Sequence, residues 1–202
     1  IIFFCDVPPE QGNGGESVIC DVRETLSKLD PEIVDKFDRL GIQYRLYISS
    51  SGKYKSIQNV FGTTDKVIIQ KFMEDRGYGH TWENDGSLYY WSTLPAFRTH
   101  PKTKERVWFN SASLGHASFF RDHPCYAGMD IPDDKLPYTC YYGDGSEIET
   151  ETLRHIRDVM WQSTVGFQME KGEVLVYDNI YSQHGRIGYT GERKMYVTLI
   201  TN

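Results

Sequence analysis

The chain has 202 residues, 39% hydrophobic, 25% charged and 14% aromatic, with a formal net charge of −6; this is the composition of an ordinary globular protein long enough to bury a sizeable core. The acid excess without a long basic run argues against a nucleic-acid partner, and every apolar run is far shorter than a membrane span. Cys5, Cys20, Cys125 and Cys140 form no CxxC pair, which argues against structural zinc and leaves reduced thiols and a cytoplasmic location as the simpler expectation.

Ile1 to Cys5 is an apolar run that suits a buried strand. The Pro- and Gly-containing stretch 7–16 reads as a loop, and Ser17 to Cys20 returns to a β pattern. Asp21 caps a helix running through Leu26, and Pro31 opens a second helix to Leu40 with Ile33, Phe37 and Leu40 on one side. Ile42 to Ser49 alternates as a half-buried strand. Thr64 or Asp65 caps a helix through Met73, with Val67, Ile68 and Phe72 expected inward. Leu88 to Leu94 is a strand, and a turn at 101–104 precedes Arg106-Val107-Trp108-Phe109. The stretch from Arg121 to Gly145, rich in Pro, Gly and Asp, predicts a long irregular loop. Glu149 to Trp161 is the clearest helix, with Leu153, Ile156, Val159 and Met160 at helical spacing. Val174 to Tyr177 and Met195 to Ile200 are strands. No repeat or linker interrupts the chain, so residues 1–202 are expected to form one β-rich domain with helices outside the sheet.

The chemistry concentrates between Gly172 and Ile200. A strand ends in Asp178-Asn179, His184 follows six residues after Asp178, and Gly191-Glu192-Arg193 opens the final strand. A neutral imidazole ligates iron, and a planar guanidinium suits a carboxylate in a bidentate pair. Taken singly, a histidine is more often a hydrogen-bonded surface residue than a ligand, and an arginine before a strand is usually a solvated charge. Spacing by itself leaves both readings open. His80-Thr81-Trp82-Glu83 lacks a second histidine at zinc-protease spacing, and no Gly-Lys-Ser/Thr follows Gly12 to Gly15 to make a phosphate loop.

The segment resembles the C-terminal signature of the taurine dioxygenase/clavaminate synthase-like (TauD/TfdA) oxygenases: Asp178-Asn179, His184-Gly185-Arg186, then Gly191-Glu192-Arg193. Further blocks follow in family order. Gly14-Gly15-Glu16-Ser17 resembles the Gly-Gly-acid-Thr stretch; Pro95-Ala96, His100-Pro101 and Glu105 to Asn110 resemble a recurrent central block; Tyr142-Gly143-Asp144-Gly145-Ser146 resembles the loop before the long helix. The resemblance implies a mainly β double-stranded β-helix, or jelly roll, with flanking helices. It also implies Fe(II), with 2-oxoglutarate as cosubstrate.

Carried over by position, His184 resembles the distal metal histidine, Arg193 the arginine that pairs with the far carboxylate of 2-oxoglutarate, and Ser17 the threonine that hydrogen-bonds the same cosubstrate. Asn110 is a candidate for the substrate pocket. Arg186 is a candidate substrate contact or turn anchor, whereas Trp108 and Phe109 suit the core better than the pocket. The family's first metal motif, His-x-Asp or His-x-Glu, is absent: none of the six histidines has Asp or Glu two residues later. The resemblance places that motif just upstream of residue 1, so the chain is expected to be a jelly roll incomplete at its N-terminus, with weak iron binding and little activity alone. The implied reaction consumes O2 and a small-molecule substrate, with hydroxylation of an unactivated C–H of a small acid or amino-acid-like compound as the default. A halogenase of the same fold and a non-catalytic pseudoenzyme or binding module are the alternatives.

Overall fold

A computed structural model describes residues 1–50, 56–124 and 126–200, so Cys125 lies outside the described residues. In chain order the elements are β1 (Ile2–Val7), β2 (Ser17–Asp21), α1 (Val22–Lys28), α2 (Pro31–Leu40), β3 (Ile42–Ile48), α3 (Ile57–Phe61), α4 (Lys66–Asp75), β4 (Gly79–Trp82), β5 (Leu88–Leu94), β6 (Phe97–Thr99), β7 (Arg106–Trp108), α5 (Ala112–Gly115), α6 (Ala117–Asp122), a 3₁₀ turn (Asp133–Lys135), β8 (Tyr138–Tyr142), α7 (Thr150–Gln162), β9 (Thr164–Phe167), β10 (Val174–Val176), β11 (Ser182–Arg186) and β12 (Lys194–Thr198). Among the described residues no helix is long and apolar enough to cross a membrane. The chain divides into two compact units: Ile1–Asp30, Phe97–Phe109 and His155–Asn202 in the first, and Pro31–Ala96 and Asn110–Arg154 in the second.

The first unit holds two three-stranded antiparallel sheets, ordered β10-β1-β12 and β11-β2-β9, and the β6–β7 hairpin. Strands β1 and β10 are half-buried rather than buried. Cys5 is fully enclosed, but Phe4, Val174 and Val176 are exposed. Their alternation sends one side of each strand inward and leaves apolar groups on the other side. Between β2 and α1, the Asp21 carboxylate accepts the Arg23 N–H at 2.8 Å and also pairs with the Arg23 guanidinium, so one residue both ends the strand and caps the helix. Trp108 is buried in this unit, with its ring edge-on to Phe97, which is the core role expected for it.

The second unit is built on a four-stranded antiparallel sheet ordered β4-β5-β3-β8. The alternation of β3 is real: Ile42, Tyr44 and Ile48 are buried, and residues between them are only partly so. Helix α2 presents Phe37 to this core, where its ring lies 5.1 Å from that of Tyr142.

Two expectations for this unit are corrected. Helix α4 turns Ile69 and Met73 inward against Leu88, with Phe72 partly buried, while Val67 and Ile68 are exposed. Residues 67–69 and 72–73 are all apolar, so helical spacing permits two neighbouring faces, and packing selects the later one. The stretch 121–145 is not one irregular loop: its described residues include the 3₁₀ turn and β8, which pairs along β3 from Ile42↔Tyr142 to Leu46↔Tyr138. The many loop-forming residues before Leu136 masked a short strand that only its sheet neighbour stabilises.

Glu149 joins the loop after β8 to α2 through Lys36, 2.5 Å away, and accepts the buried Tyr142 hydroxyl at 2.8 Å. The Lys36 contact is the main cause holding its carboxyl down at about 2, from an ordinary 4.5. A depressed carboxyl contributes stability above its unfolded pKa and loses it as pH falls through the folded value. The pair is half exposed, so the effect is modest. Glu149→Gln is expected to lower the melting temperature at pH 6. The gap from the parent should close between pH 4.5 and about 2, as followed by circular dichroism. A gap that persists unchanged at pH 2 would refute the assignment.

Candidate functional site

Within the first unit, strand register brings the signature residues together. Strand β11 pairs antiparallel with β2, with His184 opposite Ile19 and Arg186 opposite Ser17. Because side chains alternate, these four lie on one face of the sheet. In the other sheet Phe3 is opposite Leu175 and Cys5 opposite Met195. A cavity of about 260 Å³ is lined from both sheets, by Ser17, Ile19, His184 and Arg186 on one side and by Phe3, Leu175, Tyr177 and Met195 on the other, with Arg193 among its walls.

His184 sits in an aromatic corner. The Phe3 ring meets it edge-on with centroids 5.4 Å apart, and the Tyr177 ring is tilted at 5.6 Å. The residue remains exposed, but partial burial among these rings pushes its pKa below the ordinary histidine value. Burial thus favours the neutral imidazole, the form in which histidine ligates a metal. The Tyr177 hydroxyl is buried without a hydrogen-bond partner among the described residues, and burial pushes its pKa up to about 12.

Arg193 approaches the cavity from just before β12. Its guanidinium lies 5.9 Å from the Tyr189 ring centroid, and among the described residues no carboxylate forms an ion pair with it. An unpaired guanidinium in a cavity wall is suited to an anionic ligand. The Gly14-Gly15-Glu16 stretch shapes this corner. It extends the β2–β11 ladder, with Gly15 N–H donating to the Gly188 carbonyl at 3.1 Å and Ile187 N–H to the Glu16 carbonyl at 3.0 Å. Gly15 has φ +83°, and a Cβ there would lie 2.9 Å from Pro9 Cγ and 3.3 Å from Arg193 Cδ. Only glycine accepts both that backbone and that proximity.

Arg186 lies on the cavity wall over the Tyr189 ring, 4.6 Å away, and donates to the Ile187 carbonyl at 3.2 Å. Asn110 belongs to the second unit. Its amide nitrogen donates to the Ala96 carbonyl at 3.0 Å and its oxygen accepts the Ala112 N–H at 3.1 Å; both contacts hold the turn into α5. Among the described residues no group of three His, Cys, Asp or Glu side chains gathers as a metal site. Sequence reasoning passed over Phe3 and Tyr177 as site residues. Tyr177 carried a signal, since period 2 from Leu175 turns it inward with that residue.

Comparison with known proteins gives the family. Residues 1–199 match the family described as taurine catabolism dioxygenase TauD, TfdA family. Dapdiamide synthesis protein DdaC of Enterobacter agglomerans is 33% identical over 93% of the chain and 57% of its own length. A clavaminate synthase-like protein of Arabidopsis thaliana is 22% identical over 98% of the chain and 59% of its own length. The chain thus spans somewhat under three fifths of these curated relatives. The crystal structure of AAD-2 in complex with Mn(II) and N-oxalylglycine superposes with a TM-score of 0.50 at 15% identity, covering 96% of the chain and 60% of that structure. This likeness concerns the fold, a mainly antiparallel jelly roll.

Gly15→Ala tests the corner independently of any ligand. It is expected to destabilise the protein by about 1–3 kcal/mol, the range for overpacking and for a strained backbone. Urea unfolding measures it, and a change below about 0.5 kcal/mol, the scatter of neutral surface changes, would show that the corner relaxes freely.

Proposed function

The chain belongs to the TauD/TfdA family, and on that premise we propose that it forms the cosubstrate-binding part of an Fe(II)/2-oxoglutarate-dependent dioxygenase. The observation that carries the reading is the Arg193 guanidinium, which pairs with no carboxylate among the described residues, in the same cavity as Ser17 and His184. The family match runs through both compact units, which supports treating residues 1–202 as one oxygenase domain.

In this reading Arg193 takes the far carboxylate of 2-oxoglutarate in a bidentate pair, and the Ser17 hydroxyl donates a hydrogen bond to the same end. His184 holds the metal through its neutral imidazole. The donor set fits a metal at this one position; the family's other two ligands have no counterpart among the described residues. When bound, iron and 2-oxoglutarate supply the O2 activation that oxidises an unactivated C–H bond. The aromatic corner of Phe3 and Tyr177 fixes the His184 ring and keeps water from its flank. Arg186, an exposed cation on the cavity wall, supports a substrate bearing an acid group, such as a small acid or an amino-acid-like compound. Asn110 is retained as a substrate-pocket residue only in so far as it sets the turn into α5. The free thiols of Cys5, Cys20 and Cys140 support a cytoplasmic location.

Binding and turnover by the full-length protein test the assignment. Arg193→Leu is expected to weaken 2-oxoglutarate binding by at least tenfold, and Ser17→Ala by less, because a charge-assisted pair exceeds a neutral hydrogen bond. His184→Ala is expected to abolish iron-dependent succinate formation. Undiminished succinate formation in His184→Ala would reject the metal role. Tight 2-oxoglutarate binding by the parent with no turnover under any substrate would reduce the protein to a binding module.

A further inference from the structure

The loop that delivers β11 is fastened to the β6–β7 hairpin by a contact made at its first residue. His100 is 4% exposed and sits where β6 turns toward β7. The turn wraps around its ring: the Thr103 N–H donates to Nδ1 at 3.0 Å, and the Lys104 N–H donates to the His100 carbonyl at 2.9 Å. A backbone donor at Nδ1 makes that nitrogen the acceptor, so the ring proton resides on Nε2. Nε2–H then donates to Asp178 Oδ2 at 3.0 Å. The His100 ring also stacks on Tyr181, with centroids 4.3 Å apart and planes 12° from parallel. The Tyr181 hydroxyl meets Glu105 and Thr103 of the hairpin turn, and Arg23 covers the ring from 4.4 Å.

Asp178 uses its other carboxylate oxygen to accept the Ile180 N–H at 2.8 Å, closing the turn that leads into β11. Its carboxyl is held below the ordinary range, chiefly by the His100 hydrogen bond. Tyr181 continues the chain by accepting the Val22 N–H at 3.0 Å, and from Ser182 onward β11 runs in register with β2. The side-chain period of a strand is two, so a slip of one residue would turn His184 away from the cavity and put Gln183 or Gly185 on its face. The contacts at 178–181 decide where β11 begins, and hence which residue faces inward.

We propose that His100, acting through Asp178 and Tyr181, is a positioning residue that sets the register of β11 and so aims His184 at the metal. This inference rests on the metal role assigned to His184 above.

Mn(II) binding to the full-length protein with N-oxalylglycine, read from the loss of the free-ion electron paramagnetic resonance signal, separates the possibilities. His100→Leu removes both ring hydrogen bonds and the stacking on Tyr181, and is expected to weaken Mn(II) binding by about tenfold or more, as changes behind a ligand commonly do. His100→Gln keeps a donor at the end of the side chain, where Nε2 stood, and should recover most of the affinity. Asp178→Asn sets its NH2 against one of two donors, Nε2–H or the Ile180 N–H, so one of the two contacts is lost and Mn(II) binding should weaken as in His100→Leu. Val107→Ala, in buried β7, should lower the melting temperature and leave Mn(II) affinity unchanged, whereas a purely structural hairpin would tie the two together. Wild-type affinity in His100→Leu, or an equal loss in Val107→Ala and His100→Gln, overturns the proposal. If His100→Leu does not fold, His100→Gln and Asp178→Asn decide: no difference between them overturns it. Wild-type Mn(II) binding by His184→Ala would instead show that the metal reading is wrong, whatever His100 does.

Discussion

The antiparallel register between β2 and β11 is the constraint on which the candidate site depends. It places Ser17 opposite Arg186 and Ile19 opposite His184. Residues 165 and 169 positions apart along the chain thereby share one face of a sheet. Nothing in the local preference of either strand enforces this. β11 contains a glycine, a histidine, a serine and an arginine, a composition with little intrinsic β preference. Its pairing is imposed from outside: by the turn at 178–181 on one end and by the Gly14–Glu16 extension on the other. A strand held at both ends can carry polar, site-forming side chains that would not hold a strand by themselves.

The two ends differ in chemistry. At the 178–181 turn the contacts are a histidine–carboxylate hydrogen bond and ring stacking, which fix direction as well as distance. At the glycine end the contact is close backbone approach. A Cβ on Gly14 would collide with the Gly188 carbonyl, and one on Gly15 would press on Arg193. Gly14 therefore admits the close backbone approach of Gly188, and Gly15 leaves room for the Arg193 stem beside the ladder. One end positions an imidazole and the other makes space for a guanidinium, so His184 and Arg193 come to line one cavity.

The lining is otherwise apolar and aromatic. Phe3 and Tyr177 flank His184 and partly desolvate it, which lowers its pKa and favours the neutral ring. The Tyr177 hydroxyl is buried without a hydrogen-bond partner among the described residues, a cost accepted in the wall of a site more readily than in an ordinary core. The inward side of β1, β10 and β12 thus supplies the walls of the cavity, while their outward side keeps Phe4, Val174, Val176 and Tyr196 exposed.

By itself the sequence determined the family and most of the regular elements. Ordered blocks around His184, Arg193 and Ser17 identified the family, and strong periodicity located β5, α2 and α7 almost to the residue. These features are local, or they are chemical identities that need no partner to be recognised. Tertiary structure alone decided what depends on a partner. It chose Ile69 and Met73 over Val67 and Ile68 as the inward face of α4, because a nearly continuous apolar run admits more than one helical face. It made β8 a strand within a stretch of loop-forming residues, because β3 supplies the hydrogen bonds. It joined His100 to Asp178 across 78 positions. The signature aspartate, legible in sequence only as the end of a strand, became the fastening of the turn that aims His184. No local pattern encodes that contact, since it exists only when the hairpin and the turn are already side by side.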